Sequence, residues 1–77
     1  MKNRDTEVTY EIIKEIGVVS ESSTGWQKIL TVTSWCGREP RLDLREWSPD
    51  RQKCTRGLTL DRDQAASLMK LLQSELQ

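Results

Sequence analysis

Apolar and polar residues alternate with a period of two in the middle of the chain. Within residues 41–47, two leucines are separated by charged residues, so the leucines occupy one face of a predicted β-strand and the charged side chains the other. Runs rich in β-branched residues predict two earlier strands, at residues 9–19, with a bulge at Gly17, and at residues 26–35. Residues 54–60 predict a fourth, short strand interrupted by a glycine.

After residue 60 the hydrophobic period changes to that of a helix. Asp61 predicts an N-cap, and Gln64, three residues further on, completes a capping box. Apolar residues then recur on one side of the predicted helix, at Ala65, Leu68, Met69, Leu72 and Leu76. Leu71 widens this stripe, so we expect the helix to contact both its own sheet and a partner.

The order of elements predicts an α+β fold: a four-stranded antiparallel β-sheet followed by one C-terminal α-helix (β-β-β-β-α). Short turns make consecutive strands antiparallel neighbours. Residues 1–8 are polar and are predicted to form a flexible N-terminus. Residues 9–77 are predicted to form a single domain.

One helix can cover only one face of such a sheet. The face predicted to lie under the helix carries Leu30, Val32, Leu42, Leu44, Leu58 and Leu60. The opposite face is predicted to be open to solvent or to a ligand, and the third strand presents there Arg41, Asp43, Arg45 and Trp47. Trp26 and Lys28 share the parity of Leu30. Trp35 has the opposite parity, so without a bulge it lies on the other face.

Composition limits both the core and the possible chemistry. The chain has 77 residues, of which 35% are hydrophobic, so we expect a homodimer rather than a marginal monomer. It has no histidine, which removes the usual general base and the imidazole metal ligand. We therefore expect no enzyme, no cofactor and no small-molecule substrate. The two cysteines, Cys36 and Cys54, are expected to stay reduced.

No apolar run approaches the roughly 18 residues that span a membrane, and the polar first residues lack the apolar stretch of a signal peptide. We therefore expect a cytoplasmic protein without a membrane partner, associated with the nucleoid if the source is prokaryotic.

Charge and tryptophan are concentrated in the same segment. The whole chain is neutral, but residues 26–56 hold seven cations against four anions, a net charge of +3. The same segment holds all three tryptophans, Trp26, Trp35 and Trp47. Cations follow a phosphate backbone, and an indole ring offers a stacking surface to an unpaired base. A duplex hides its base faces, so this combination favours single strands. The alternative is that the tryptophans belong to the core and the arginines to a solvated face.

The spacing of these residues resembles a known family. The motifs are Gly25-Trp26-x-Lys28, Ser34-Trp35-x-Gly37, Asp43-x-Arg45-x-Trp47-Ser48-Pro49-Asp50, Lys53, and Gly57-x-Thr59-Leu60 before a terminal helix. They resemble bacterial YdbC-type members of the positive cofactor four (transcriptional coactivator p15) family over nearly the whole chain. The resemblance implies a β-β-β-β-α protomer that dimerises through its helix and sheet. Two curved sheets then present paired grooves to single-stranded DNA.

The resemblance also implies roles for individual residues. Trp35 matches an aromatic that stacks on bases. Trp47 matches an aromatic that either stacks or supports the groove, and Lys28 matches a basic position of the second strand. Trp26, which precedes Lys28 in the first of these motifs, is also predicted to bind DNA. The positions that match contacts to the nucleic-acid backbone are Arg38, Arg45, Lys53 and Arg56. Cys36 departs from the eukaryotic members, which carry a cation there.

The sequence therefore predicts a single-stranded DNA-binding protein with little sequence specificity, acting in transcription, replication or repair, and RNA remains open as a ligand. A second hypothesis is a small dimeric protein-protein interaction module that uses an aromatic sheet face. A third is a magnesium nuclease built on Asp43, Asp50 and Asp61, although each of these also has an ordinary structural explanation.

Overall fold

The computed structural model describes residues 9–77 and has the predicted β-β-β-β-α order. The elements are β1 (Tyr10–Glu21), β2 (Gln27–Trp35), β3 (Arg41–Trp47), β4 (Leu58–Leu60) and α1 (Arg62–Leu76). The four strands form one antiparallel sheet in chain order, which confirms the predicted fold class. The prediction of a flexible N-terminus falls on residues 1–8, which lie outside the described residues.

The register between the strands defines two faces of the sheet. Leu30 pairs with Leu44, and Leu42 pairs with Leu60, so these leucines share the face next to α1, which we call the helix face. On the opposite face, which we call the concave face, Thr31 pairs with Asp43. The concave face also carries Ile29, Thr33, Trp35, Arg41, Arg45, Trp47 and Thr59. Both predicted groupings of side chains are confirmed.

Strong curvature brings distant parts of the concave face together. Trp35 ends β2, whereas Trp47 pairs with Gln27 at its beginning, about 26 Å away along an ideal strand. The ring of Tyr10 nevertheless lies 5.1 Å from the ring of Trp35 and 5.5 Å from that of Trp47. The sheet must therefore curl around these three rings.

Three irregularities in β1 accompany this curvature. The pairing of β1 with β2 shifts between Ile12 and Lys14, between Glu15 and Gly17, and between Val18 and Ser20. Each bulge bends its strand and increases the local twist. The second shift confirms the bulge predicted at Gly17, whereas the other two are not marked by a glycine.

The predicted helix start is confirmed. Asp61 is the N-cap, its carboxylate accepts a 2.7 Å hydrogen bond from the Gln64 amide, and the Gln64 side chain accepts one of 2.9 Å from the Asp61 amide. Although α1 contacts β3 and β4, none of its residues is buried. The apolar stripe of α1 is therefore still largely exposed in the protomer. No helix among the described residues is long and apolar enough to cross a membrane.

The small buried core lies on the concave face. Within residues 9–77, the buried side chains are those of Ile29, Thr31, Thr33, Asp43, Trp47 and Ser48. The prediction that this face is open is wrong at its centre, because the curled sheet and β1 enclose it. The leucines of the helix face, by contrast, are at most half-buried.

Candidate functional site

A buried carboxylate organises the centre of the concave face. Asp43, only 1% exposed, accepts hydrogen bonds from Arg45 Nε at 2.8 Å and from Arg45 Nη2 at 2.6 Å. The indole Nε1 of Trp35 donates to the same carboxylate at 3.1 Å. The Arg45 guanidinium also lies over the Trp35 ring, 4.3 Å from its centroid, which is cation–π geometry. Asp43 therefore fixes the indole and the guanidinium as one stacked pair, which we call the Trp35–Arg45 pair.

The ionisation of Arg45 agrees with this geometry. Burial acts to lower the pKa of Arg45, but its hydrogen bonds to Asp43, the charge of that carboxylate and the thiol of Cys54 outweigh burial and raise the pKa. Arg45 is therefore always charged, and its charge faces a buried counterion. Within residues 9–77 only one further ion pair forms, between Arg51 and Glu15 at 3.0 Å on the surface.

A tight turn places the next basic residue. The Arg38 amide donates to the Trp35 carbonyl at 2.9 Å, and the two residues between them have positive φ, 53° at Cys36 and 73° at Gly37. Positive φ at both central positions is the pattern of a type I′ turn. The Ser34 hydroxyl donates to the Arg38 carbonyl at 2.6 Å and fixes the exit of the turn. Arg38 is thus exposed immediately beside Trp35.

The Trp35–Arg45 pair, Arg38 and a further arginine line one concavity of about 420 Å³. Its full lining is Thr33, Trp35, Arg38, Glu39, Arg41, Arg45 and Thr59. Arg41 is exposed, whereas only 15% of the Arg45 side chain is accessible. Although the sequence placed Arg41 on this face, it was not predicted as a binding residue. The sequence did contain a signal for Arg41, because a residue two positions before Asp43 on an alternating strand lies on the same face as Asp43.

Trp47 supports the site from beneath. It is 2% exposed, and Tyr10 packs against it and against Trp35. Of the two roles left open for Trp47, burial favours support of the groove over stacking on a base. Its indole Nε1 is buried without a hydrogen-bond partner among the described residues. The sequence did not predict that Tyr10 supports the site, because the contact of Tyr10 with Trp47 depends on the curvature that accompanies the bulges of β1.

The Trp-Ser-Pro-Asp motif forms the loop that carries Lys53. The Ser48 hydroxyl donates to the Asp50 carboxylate at 2.6 Å and accepts from the Lys53 amide at 3.0 Å. The hydrogen bond from Ser48, followed by that from the Gln52 amide, lowers the pKa of Asp50. This network holds the exposed Lys53 at the end of β3, away from the concavity of Arg38 and Arg41.

The other predicted contacts lie elsewhere. Lys28 pairs with Glu46 on the helix face, as its parity predicted, and lines a second concavity together with Arg56 and with Arg45, which therefore borders both concavities. Trp26 is half-buried and precedes β2, at the opposite end of that strand from Trp35. The structure therefore brings Trp35, Arg38 and Arg45 together, but it does not bring Trp26, Lys28, Lys53 or Arg56 into the same concavity.

The three aspartates of the nuclease hypothesis all have structural partners. Asp43 binds Trp35 and Arg45, Asp50 accepts hydrogen bonds within its loop, and Asp61 caps α1. In the part of the chain that the structure describes, no three His, Cys, Asp or Glu side chains come together as metal ligands. Cys36 and Cys54 are free thiols and exposed.

Comparison with known proteins identifies a related sequence. No protein-family model matches the sequence. The chain is 42% identical over 65 residues to an uncharacterized protein of Treponema pallidum (strain Nichols). The alignment covers 84% of this chain and 76% of that protein. With this identity over most of both sequences, the chain belongs to the same protein family as the uncharacterized Treponema pallidum protein.

Proposed function

We propose that the protein is a homodimer that binds single-stranded DNA with little sequence specificity. The observation that carries the proposal is the concavity of the curved sheet, where two exposed arginines, Arg38 and Arg41, flank the Trp35–Arg45 pair. Flat stacking groups give affinity for any base, and the arginines attract phosphates regardless of sequence. Transcription, replication and repair all generate such single strands, and the resemblance of the sequence motifs to those of the positive cofactor four family supports this class of ligand.

Single strands suit this site better than a duplex does. A concavity of about 420 Å³ lies within the size range of small-molecule sites and accommodates a nucleotide-sized group. In a duplex the base faces are stacked on each other, so they cannot reach a stacking group within a curved sheet. The concavity also has an exposed polar side chain, that of Thr59, which can hydrogen-bond to a base edge.

The homodimer is supported by the distribution of apolar surface. Only two hydrophobic side chains of residues 9–77 are buried, those of Ile29 and Trp47. An apolar groove of about 460 Å³ separates α1 from the helix face, and its apolar lining includes Leu30, Leu42, Leu60, Leu68, Met69, Leu72 and Leu76. Large exposed apolar patches mark interaction sites. A second copy of the chain covers this groove in our proposal, and it leaves the concave face free for DNA.

A competition experiment tests the proposed function. A labelled single-stranded DNA is displaced by unlabelled single-stranded DNA, single-stranded RNA or duplex DNA of matched length at one salt concentration. We expect duplex to compete least. Arg38→Ala should weaken binding, whereas Lys70→Ala, which removes an exposed cation from α1, should leave it unchanged. Equal or better competition by duplex, or no binding even at low salt, would contradict the proposal.

A further inference from the structure

We infer that Arg45 contacts single-stranded DNA as a charge-compensated stacking surface positioned by Asp43, and that Arg38 and Arg41 supply the phosphate contacts of this concavity. The inference rests on the proposed function. It assigns a positioning role to Asp43 and a binding role to Arg41, and it separates two kinds of arginine within one site.

Moving Arg45 away from Asp43 is costly. Its Nε and Nη2 donors are both engaged by Asp43, whose side chain has no accessible surface. A phosphate that drew Arg45 away would leave a carboxylate buried and unpaired, which is strongly unfavourable. We therefore expect Arg45 to stay on Asp43 when the nucleic acid binds. Its charge then releases few counterions, because it is already neutralised within the protein.

The Trp35–Arg45 pair presents its guanidinium, rather than its indole, to a base on one side. The guanidinium covers one side of the Trp35 ring at 4.3 Å, and Tyr10 packs against the same indole. A base that approaches from the Arg45 side therefore meets the guanidinium before the indole. A guanidinium plane stacks on nucleobases as aromatic rings do, and it can do so without giving up its in-plane hydrogen bonds. Trp35 thus acts through Arg45 on that side.

The exposed arginines of the concavity are free to contact phosphates. Arg38 and Arg41 are exposed at the same concavity, and neither is within ion-pair distance of a carboxylate among residues 9–77. Phosphates can therefore bind them without breaking an existing ion pair. Each such contact contributes about 0.7 to the slope of log K against log salt for a single strand.

Salt titrations with labelled oligo-dT separate these roles. Arg38→Ala and Arg41→Ala should each reduce the slope by about 0.7 and weaken binding mainly at low salt. Arg45→Lys keeps a cation opposite Asp43 but removes the planar guanidinium. It should weaken binding roughly 5- to 150-fold at every salt concentration, the equivalent of one lost stacking contact, with the slope unchanged. Lys70→Ala serves as the control for loss of a remote cation.

Asp43→Asn distinguishes a positioning role of Asp43 from a purely electrostatic one, because the two predict opposite changes in affinity for DNA. The substitution makes the site more positive by one charge, so electrostatic attraction alone would tighten binding. If Asp43 positions the Trp35–Arg45 pair, binding should weaken instead. The salt slope should become steeper by up to about 0.7, because Arg45 is released as an uncompensated cation. A purely structural role for Asp43 would lower the folded fraction without steepening the slope, so urea unfolding is measured on the same sample.

The outcomes are distinct. The inference is overturned if Arg45→Lys retains wild-type affinity, if it lowers the slope as Arg41→Ala does, or if Asp43→Asn binds more tightly. Each of these results leaves wild-type binding to single-stranded DNA intact, and therefore leaves the proposed function standing. Wild-type protein that fails to bind oligo-dT overturns both. If Asp43→Asn does not fold, the Arg45→Lys titration decides alone, because that variant keeps the buried charge pair.

Discussion

Replacing Leu72 of α1 tests whether the apolar groove is a dimer interface. Leu72 is 48% exposed in the protomer, and complete burial of a leucine is worth about 1.5–3 kcal/mol. About half of that, roughly 0.7–1.5 kcal/mol, remains to be gained on association. A two-fold symmetric interface contains the residue twice, so Leu72→Ala should weaken dimerisation by about 1.5–3 kcal/mol, or roughly 10- to 150-fold in Kd.

A charge at the same position should act more strongly. Leu72→Asp places two carboxylates in the apolar interface, where neither has a partner, and should abolish the dimer at micromolar concentration. Sedimentation velocity measures the oligomeric state, and urea unfolding at two protein concentrations measures its coupling to stability. Ser67→Asp is the matched control, because it adds the same charge to an exposed position of α1 outside the apolar stripe. A wild-type chain that sediments as a stable monomer, or a Leu72→Asp variant that stays dimeric, would refute this reasoning.

Three further predictions concern the loops around the site. A Cβ at Gly57 would overlap with the Leu44 carbonyl and with Arg45, so Gly57→Ala should lower the free energy of unfolding by about 1–3 kcal/mol in urea titration and also weaken DNA binding. Cys36 has a φ of 53°, a conformation that asparagine tolerates well. Cys36→Asn should therefore raise the free energy of unfolding by up to about 1 kcal/mol, whereas the β-branched Cys36→Val should lower it. The lowered pKa of Asp50 should stabilise the fold above pH 3.8, its ordinary value, and this contribution should disappear as the pH falls through the lower folded value. Urea unfolding of wild type and Asp50→Asn should therefore differ at pH 6 and converge in acid.

The sequence predicted those elements whose signals are local. The alternation of β3 gave its bounds without error, and the Asp61 capping box marked the start of α1. Parity placed the leucines on the helix face and put Lys28 and Trp35 on different faces, because β2 and β3 pair without a bulge. The fourth strand is shorter than predicted, since β4 includes only Leu58–Leu60, and Cys54 forms an isolated bridge with Trp47.

The candidate site was only partly predictable, because it depends on curvature rather than on alternation. Only one of the three register shifts of β1 adjoins a glycine, so the contact of Tyr10 with Trp47 had no local signal. The same curvature buries Trp47 and Asp43 on a face predicted to be open. The compensation of Arg45 by Asp43 was also missed, since residues two apart on a strand share a face but need a particular side-chain geometry to pair.

The enclosed centre of the concave face has a consequence for mutational tolerance. In this protomer the best-buried side chains and the proposed ligand-binding side chains belong to one face. Trp47 and Asp43 therefore both stabilise the fold and shape the binding surface. Substitutions that repack this face for greater stability should therefore reduce affinity, a trade-off common at functional sites. The helix face lies outside the proposed DNA site and is constrained instead by the proposed dimer interface, so variants selected for thermostability alone should accumulate changes there at positions compatible with dimerisation.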